Sequence, residues 1–205
     1  MRLFLVRHGE SENNLKKLFC GWIDSPLTET GYKEAETIRP FMSQFKFDKV
    51  YSSDLCRAVE TAKTVLPDCT PIETPLLREC SVGSLSNTSS TDFFNGSKSA
   101  IETFNRRDYT PFGGENTEMV QERLNKFLKP LEEQPFENVA VFAHGGIILN
   151  MMLKVIGQHD YSAIRRPNCC IAIFDYINGK WMLLSIIDPK LLNPSCNSNN
   201  QGEFF

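Results

Sequence analysis

Two of the three histidines in this 205-residue chain stand at the same kind of place. His8 follows the apolar run Leu3-Phe4-Leu5-Val6, with Arg7 before it and Gly9-Glu10 after it. His144 follows Val139 to Ala143 and precedes Gly145-Gly146. Apolar runs of this length, cut off by glycine, read as buried strands. Open α/β sheets bind ligands beyond the carboxyl ends of their strands. An Arg7 cation beside His8 makes its protonation less favourable and keeps a ring nitrogen free as a nucleophile. The guanidinium is also a planar donor fork that matches a phosphate. Gly9 is expected to let the chain turn sharply and a ligand approach the backbone. His144, with the first backbone N–H groups of the helix after it, can bind a phosphate oxygen. His159 follows a helix end in a polar segment and reads as a surface residue.

Two further residues complete the constellation. Arg57 falls in the first turn of a helix, off its apolar stripe, where it can point back over the helix N-terminus. Arg7, His8, Arg57 and His144 together can hold one tetrahedral dianion, through bidentate bonds and helix-end partial charge. A leaving alkoxide then needs a proton donor. Glu79 is the candidate, because it follows an edge strand and precedes an irregular loop. A carboxyl beside a bound dianion holds its proton more tightly, which suits a general acid near neutral pH.

The elements that must position these groups follow from the rest of the chain. At 41% hydrophobic and 23% charged residues, a chain this long builds one large domain with a substantial core. The net charge of −3 excludes a basic nucleic-acid field, so local arginines must attract any anion. No apolar run reaches membrane length, and residues 1–6 are too short for a secretion signal, so a cytoplasmic protein is expected. The seven cysteines include no C-x-x-C pair. Neither a disulfide framework nor a zinc site is expected, and no cofactor or metal is called for.

Thr28 reads as the N-cap of a helix carrying Ala35, Ile38, Phe41 and Met42, which Pro40 should kink or end near Arg39. Before it, Ser11 to Asp24, polar at first and then Leu18 to Trp22, look like a loop packed over the site. Lys49-Val50-Tyr51 is a strand, and Ser52-Ser53-Asp54 should cap the helix of Leu55 to Leu66. A short edge strand surrounds Ile72. Residues 81–113 are polar and irregular, with helical turns expected at Phe93-Phe94 and over 97–107; such a stretch reads as a substrate loop or cap. Val120, Leu124, Phe127, Leu128 and Leu131 mark one face of a helix over 115–133. Ile147 to Ile156 is a core helix ended by Gly157. Cys169 to Tyr176 and Trp181 to Asp188 are strands joined by Asn178-Gly179, a hairpin signal. This hairpin offers an edge through which a second copy could pair as a homodimer. Residues 193–205 read as a disordered tail. The fold class is α/β, a three-layer α/β/α sandwich over residues 1–192 with a mostly parallel sheet and an antiparallel edge hairpin.

Read together, these blocks carry a resemblance. Arg7-His8-Gly9-Glu10, Asn14, Gly21-Trp22, Asp24, Pro26-Leu27-Thr28 and Gly31 resemble the opening signature of the histidine phosphatase superfamily, also called phosphoglycerate mutase-like. Ser52-Ser53-Asp54-Leu55 with Arg57-Ala58, Leu77-Arg78-Glu79 with Gly83, Gly113-Gly114-Glu115 and Ala143-His144-Gly145-Gly146 resemble its later blocks, in family order. The resemblance implies a phosphohistidine on His8. Arg7, Asn14, Arg57 and His144 would bind the phosphoryl group, with Cys20, Gly21 and Gly145 lining the substrate site. Glu79 would act as acid and then base, and no metal would be needed. The implied partner is a small phosphorylated metabolite. Cys20 stands where the glycolytic mutases carry Ser, Leu18 replaces a common Arg, and the stretch from Glu79 to Gly114 is short and poor in Lys and Arg. These departures favour phosphomonoester hydrolysis over a 2,3-bisphosphoglycerate-dependent mutase. A phospholigand-binding module without turnover is the remaining alternative, and it would bind phosphate yet cleave no phosphomonoester.

Overall fold

Strand β1 (Arg2–Arg7) sets the layering. Leu3 and Leu5 enter one core and Phe4 and Val6 the other. Both faces of the strand are covered, so its sequence is a continuous apolar run rather than an alternating one. The first core is closed by α5 (Thr117–Glu132) and α6 (Gly145–Ile156), the second by α2 (Glu29–Met42) and α3 (Cys56–Val65). The chain is thus a three-layer sandwich, seen in a computed structural model that describes residues 1–96, 107–157 and 164–192. Beside β1 lie β2 (Lys49–Ser53), β3 (Ile72–Thr74), β4 (Asn138–Ala143), β5 (Ile171–Ile177) and β6 (Lys180–Ile187). The order is β3-β2-β4-β1-β5-β6. The first four are parallel, while β5 runs antiparallel to β1 and β6 to β5. Asn178 and Gly179 join β5 to β6 at φ of 51° and 77°, the left-handed pair that a two-residue hairpin turn needs. β6 is a sheet edge, with Met182 and Leu184 exposed.

Local structure departs from expectation at three places, each for a stated reason. Helix α2 does not end near Arg39 but runs through Pro40 to Met42. Pro40 removes a bond to the carbonyl of Glu36, and both residues are exposed, so water can serve that carbonyl. Burial of Ala35, Ile38 and Met42 keeps the last turn on the core. Ser52-Ser53-Asp54 is not the cap of α3. The N-cap residue is Leu55, whose side chain makes no cap bond. Asp24 Oδ1 instead accepts from the Cys56 N–H at 2.9 Å, across 32 residues of chain. Gly9 is also required for close packing. A Cβ there would lie 2.4 Å from the carbonyl oxygen of Gly31.

The third difference lies in the described parts of the 81–113 stretch, residues 81–96 and 107–113, which are docked rather than loose. Gly83–Leu85 and Thr110–Phe112 are single 3-10 turns, and Ser90–Gly96 is a helix, α4, as expected around Phe93-Phe94. Val82, Leu85 and Tyr109 pack with Phe19, Phe93 and Phe112 into a third, smaller core. Backbone bonds from Phe19 to Thr88 and from Ser90 to Lys17 tie the stretch to the loop before Trp22. The expected helix over 97–107, apart from Arg107, lies outside the described residues, as do His159 and the 193–205 tail. No described helix is long and apolar enough to cross a membrane.

Candidate active site

Sheet register brings the two histidines together. Arg7 pairs with Ala143 across the parallel β1/β4 ladder, so the next residue of each strand is a histidine. The His8 N–H donates to the Ala143 carbonyl at 3.0 Å. The two rings stand edge to face with centroids 5.2 Å apart, both buried. His8 Nδ1 lies 2.7 Å from the Gly9 carbonyl oxygen. A carbonyl only accepts, so Nδ1 carries the proton and Nε2 keeps its lone pair. Burial, with the charges of Arg57 and Arg7 beside it, holds the His8 imidazole well below its ordinary pKa. Burial and the Arg57 charge do the same to His144.

Arg57 is wholly buried in the first turn of α3. Its Nη1 donates to the Ile23 carbonyl and its Nη2 to the Gly21 carbonyl, each at 2.9 Å. Gly21, at φ +52°, turns the loop so that this carbonyl faces inward. Arg7 Nη1 donates to the Arg166 carbonyl. What remains unserved is informative. Among the described residues, the buried side-chain nitrogens and oxygens without a partner are Arg7 Nε, Arg57 Nε, His144 Nδ1 and His144 Nε2. No described carboxylate pairs with Arg7 or Arg57. Each orphaned polar group costs about 1–3 kcal/mol. Their convergence beside His8 is a cationic pocket shaped for the oxygens of one anion.

Glu79 lies against the first turn of α6, two residues past His144. Its Oε1 accepts from the Cys80 N–H at 2.8 Å and its Oε2 from the Gly146 N–H at 3.2 Å. One helix N–H expected to serve a phosphate is therefore taken by the carboxylate. A Cβ on Gly146 would lie 2.0 Å from Oε1, so only glycine admits Glu79 this close to α6. Gly145 packs against Arg7, its notional Cβ 3.6 Å from Nε. Asn14 lies in the short helix α1 (Glu12–Leu15). Its Oδ1 accepts from the Ser11 N–H and hydroxyl and from Asn168 Nδ2, which leaves its amide hydrogens to offer to a ligand. The Cys20 thiol donates to the Ile23 carbonyl at 3.3 Å, and burial pushes its pKa up, so it is a neutral neighbour of the pocket.

Asn168 and Arg123 carried no recognisable signal in the sequence, and Arg78 stood there only as part of the Leu77-Arg78-Glu79 block. Asn168 Nδ2 also donates to the His8 carbonyl at 3.1 Å, linking His8 to Asn14. Arg78 pairs with Asp54 through two bonds and lies over the Trp22 ring, 5.3 Å from its centroid. Arg123 reaches the Glu79 carbonyl from α5 at 3.0 Å. Among the described residues no group of three His, Cys, Asp or Glu could hold a metal ion.

The buried neutral histidines have a consequence for stability. Above about pH 6.5 both are neutral, folded or unfolded. Below it the unfolded chain takes up protons that the folded chain refuses, so stability falls as pH falls, by up to about 1.4 kcal/mol per pH unit for each histidine. The melting temperature should therefore drop between pH 7 and 5.5, and a His8→Asn/His144→Asn variant should show a flatter profile. Equal slopes in both proteins would refute the burial of neutral rings.

Comparison with known proteins places the chain in a family. Residues 3–189 match the family model of the histidine phosphatase superfamily, branch 1. The chain is 28% identical over 199 residues to the adenosylcobalamin/alpha-ribazole phosphatase of Escherichia coli strain K12, covering 94% of this chain and 98% of that one. It is 34% identical over 175 residues to the 2,3-bisphosphoglycerate-dependent phosphoglycerate mutase of Cytophaga hutchinsonii, covering 79% and 81%. The crystal structure of the alpha-ribazole phosphatase from Shigella flexneri superposes with a TM-score of 0.80 at 26% identity, over 92% of this chain and 97% of that one.

Proposed function

The chain belongs to the histidine phosphatase superfamily, and from that membership we propose that it is a metal-independent phosphomonoesterase acting on a small phosphorylated metabolite. The observation that carries this reading is the set of four orphaned nitrogens on Arg7, Arg57 and His144 around the His8 ring. In this mechanism the Nε–H groups of Arg7 and Arg57 and the one N–H of neutral His144 donate to the phosphoryl oxygens while His8 Nε2 attacks phosphorus. The P–O ester bond breaks as the P–N bond forms, and protonated Glu79 gives its proton to the leaving oxygen. The Glu79 carboxylate then takes a proton from water, whose oxygen attacks phosphorus. The P–N bond breaks, phosphate leaves, and neutral His8 and protonated Glu79 are restored. Arg57 and Arg7 act electrostatically on the charge of the transferring group, the work that a metal ion does elsewhere.

Hydrolysis is favoured over isomer formation by length and charge. The 81–113 stretch, where a mutase carries additional basic residues, is short here and rich in Ser, Asn and Thr. The test is a panel of phosphomonoesters, including sugar phosphates, phosphoglycerates, α-ribazole phosphate and phosphoserine. Phosphate release should need no bisphosphate primer. Interconversion of 2- and 3-phosphoglycerate faster than phosphate release would make the protein a mutase instead, and phosphate binding with no cleavage across the panel would make it a binding module. EDTA should leave the rate unchanged; loss with chelator, restored by one divalent ion, would overturn the metal-free mechanism.

A further inference from the structure

The most deeply buried ion pair among the described residues lies behind the phosphate pocket, not in it. The side chains of Glu115 and Arg123 are 8% and 11% exposed. Arg123 Nε donates to Glu115 Oε1 at 2.9 Å and Nη2 to Oε2 at 3.1 Å. The remaining donors go to backbone: Nη1 to the Leu76 carbonyl at 2.9 Å and Nη2 to the Glu79 carbonyl at 3.0 Å. Glu115 Oε2 accepts from the Ser81 N–H at 2.8 Å. The pair therefore grips residues 76–81 on both sides of Glu79, and hydrogen-bonds to none of Arg7, His8, Arg57 or His144. Past the 3-10 turn Pro75–Leu77 this segment is neither helix nor strand, so no ladder of its own holds it. Trp22 Nε1 also donates to the Glu79 carbonyl at 2.7 Å, but from a half-exposed ring.

A buried ion pair is no better for stability than well-packed apolar residues of the same volume. What an apolar pair could not do is fix three peptide groups in direction and distance. We propose that Arg123 and Glu115 are positioning residues that hold the Glu79 carboxylate at the leaving oxygen of the substrate. The proposal rests on Glu79 as the acid. Misplacing a catalytic group by about 1 Å can cost on the order of 10²-fold in rate, while phosphate binding, which uses other side chains, stays intact.

Arg123→Lys tests it, since lysine keeps the charge against Glu115 but has one nitrogen for four bonds. Burst-phase rates and KM are measured with para-nitrophenyl phosphate and with an alkyl phosphate, and Glu79→Gln is run in parallel. Arg123→Lys should change KM little and slow alkyl phosphate cleavage by about 10- to 10²-fold, with a much smaller effect on the nitrophenyl ester. The double variant Glu79→Gln/Arg123→Lys should be no slower than Glu79→Gln alone, because positioning matters only while the acid is present. If Glu79→Gln distinguishes the two esters but Arg123→Lys slows both equally or neither, the positioning role is overturned and the acid stands. If Glu79→Gln does not distinguish them, the acid assignment falls and this proposal with it. Should Arg123→Lys not fold, Arg123→Met/Glu115→Leu replaces the pair with apolar volume, and its ester ratio decides by the same rule.

Discussion

His8→Ala should leave a folded protein with almost no turnover. The ring makes one hydrogen bond, to the Gly9 carbonyl, and stands neutral in a pocket that already carries the charges of Arg7 and Arg57. Removing it takes away a desolvated group rather than a keystone of the core, so the melting temperature at neutral pH should change little. Activity is a different matter. With His8 the difficult displacement at phosphorus is split into two steps, each starting from a positioned nucleophile. Without it, water must attack a phosphoryl group that the same arginines bind but that nothing faces in line. Acid-quenched wild-type enzyme should carry acid-labile, base-stable phosphate, and the variant none. Retention of more than about 5 per cent of wild-type activity by the variant would sink the covalent route. Phosphate should still raise the melting temperature of His8→Ala, because the orphaned nitrogens that bind it belong to Arg7, Arg57 and His144. Loss of that thermal shift along with activity would mean that His8 holds the pocket together.

The parts of this site legible in the sequence are those that local chemistry announces. An apolar run cut off by Arg-His-Gly is a strand end with a cation and a nucleophile on it. The same reading applied to His144 put both residues at one sheet edge, and β1 and β4 are neighbours in the sheet. The elements that failed are those decided by distant partners. Asp24 caps α3 from another loop, so the nearby Ser and Asp residues pointed to the wrong cap. Pro40 read as a kink or an end near Arg39, and the helix runs on to Met42 because the core beneath it, invisible in the sequence, holds the last turn. Arg123 was invisible as a site residue because it lies on the exposed-looking side of an amphipathic pattern, eight residues beyond Glu115 rather than at the three- or four-residue spacing of helix ion pairs. The polar composition of 81–113 hid a small aromatic core, since Phe19, which completes it, comes from far upstream.

Glu79→Gln should leave substrate binding nearly intact and lower kcat by about 10²- to 10⁴-fold on an alkyl phosphate, the range for loss of a general acid. The contrast is with Arg57→Ala. Arg57 holds the phosphoryl group in the ground state and more tightly as charge shifts onto its oxygens, so its loss should raise KM and lower kcat together. In the proposed mechanism Glu79 serves the leaving oxygen, so its effect should depend on how badly that oxygen needs a proton. A nitrophenolate leaves without one and an alkoxide does not, so Glu79→Gln should hurt para-nitrophenyl phosphate far less. The substitution is not silent in structure. Both carboxylate oxygens accept a backbone N–H, from Cys80 and from Gly146, and an amide can accept only one of these. Some displacement of the side chain is therefore built into the variant, and it slows both esters alike. It cannot create a difference between them. In the proposed mechanism Glu79 also activates water in the second step, which would be common to all substrates. If dephosphorylation limits turnover, steady-state rates for the two esters fall equally and the contrast survives only in the burst. Wild-type to variant ratios are therefore needed in both phases. Unequal burst ratios identify Glu79 as the proton donor to the leaving group, whereas equal ratios in both phases would remove it from that role and turn the search to the 81–113 stretch.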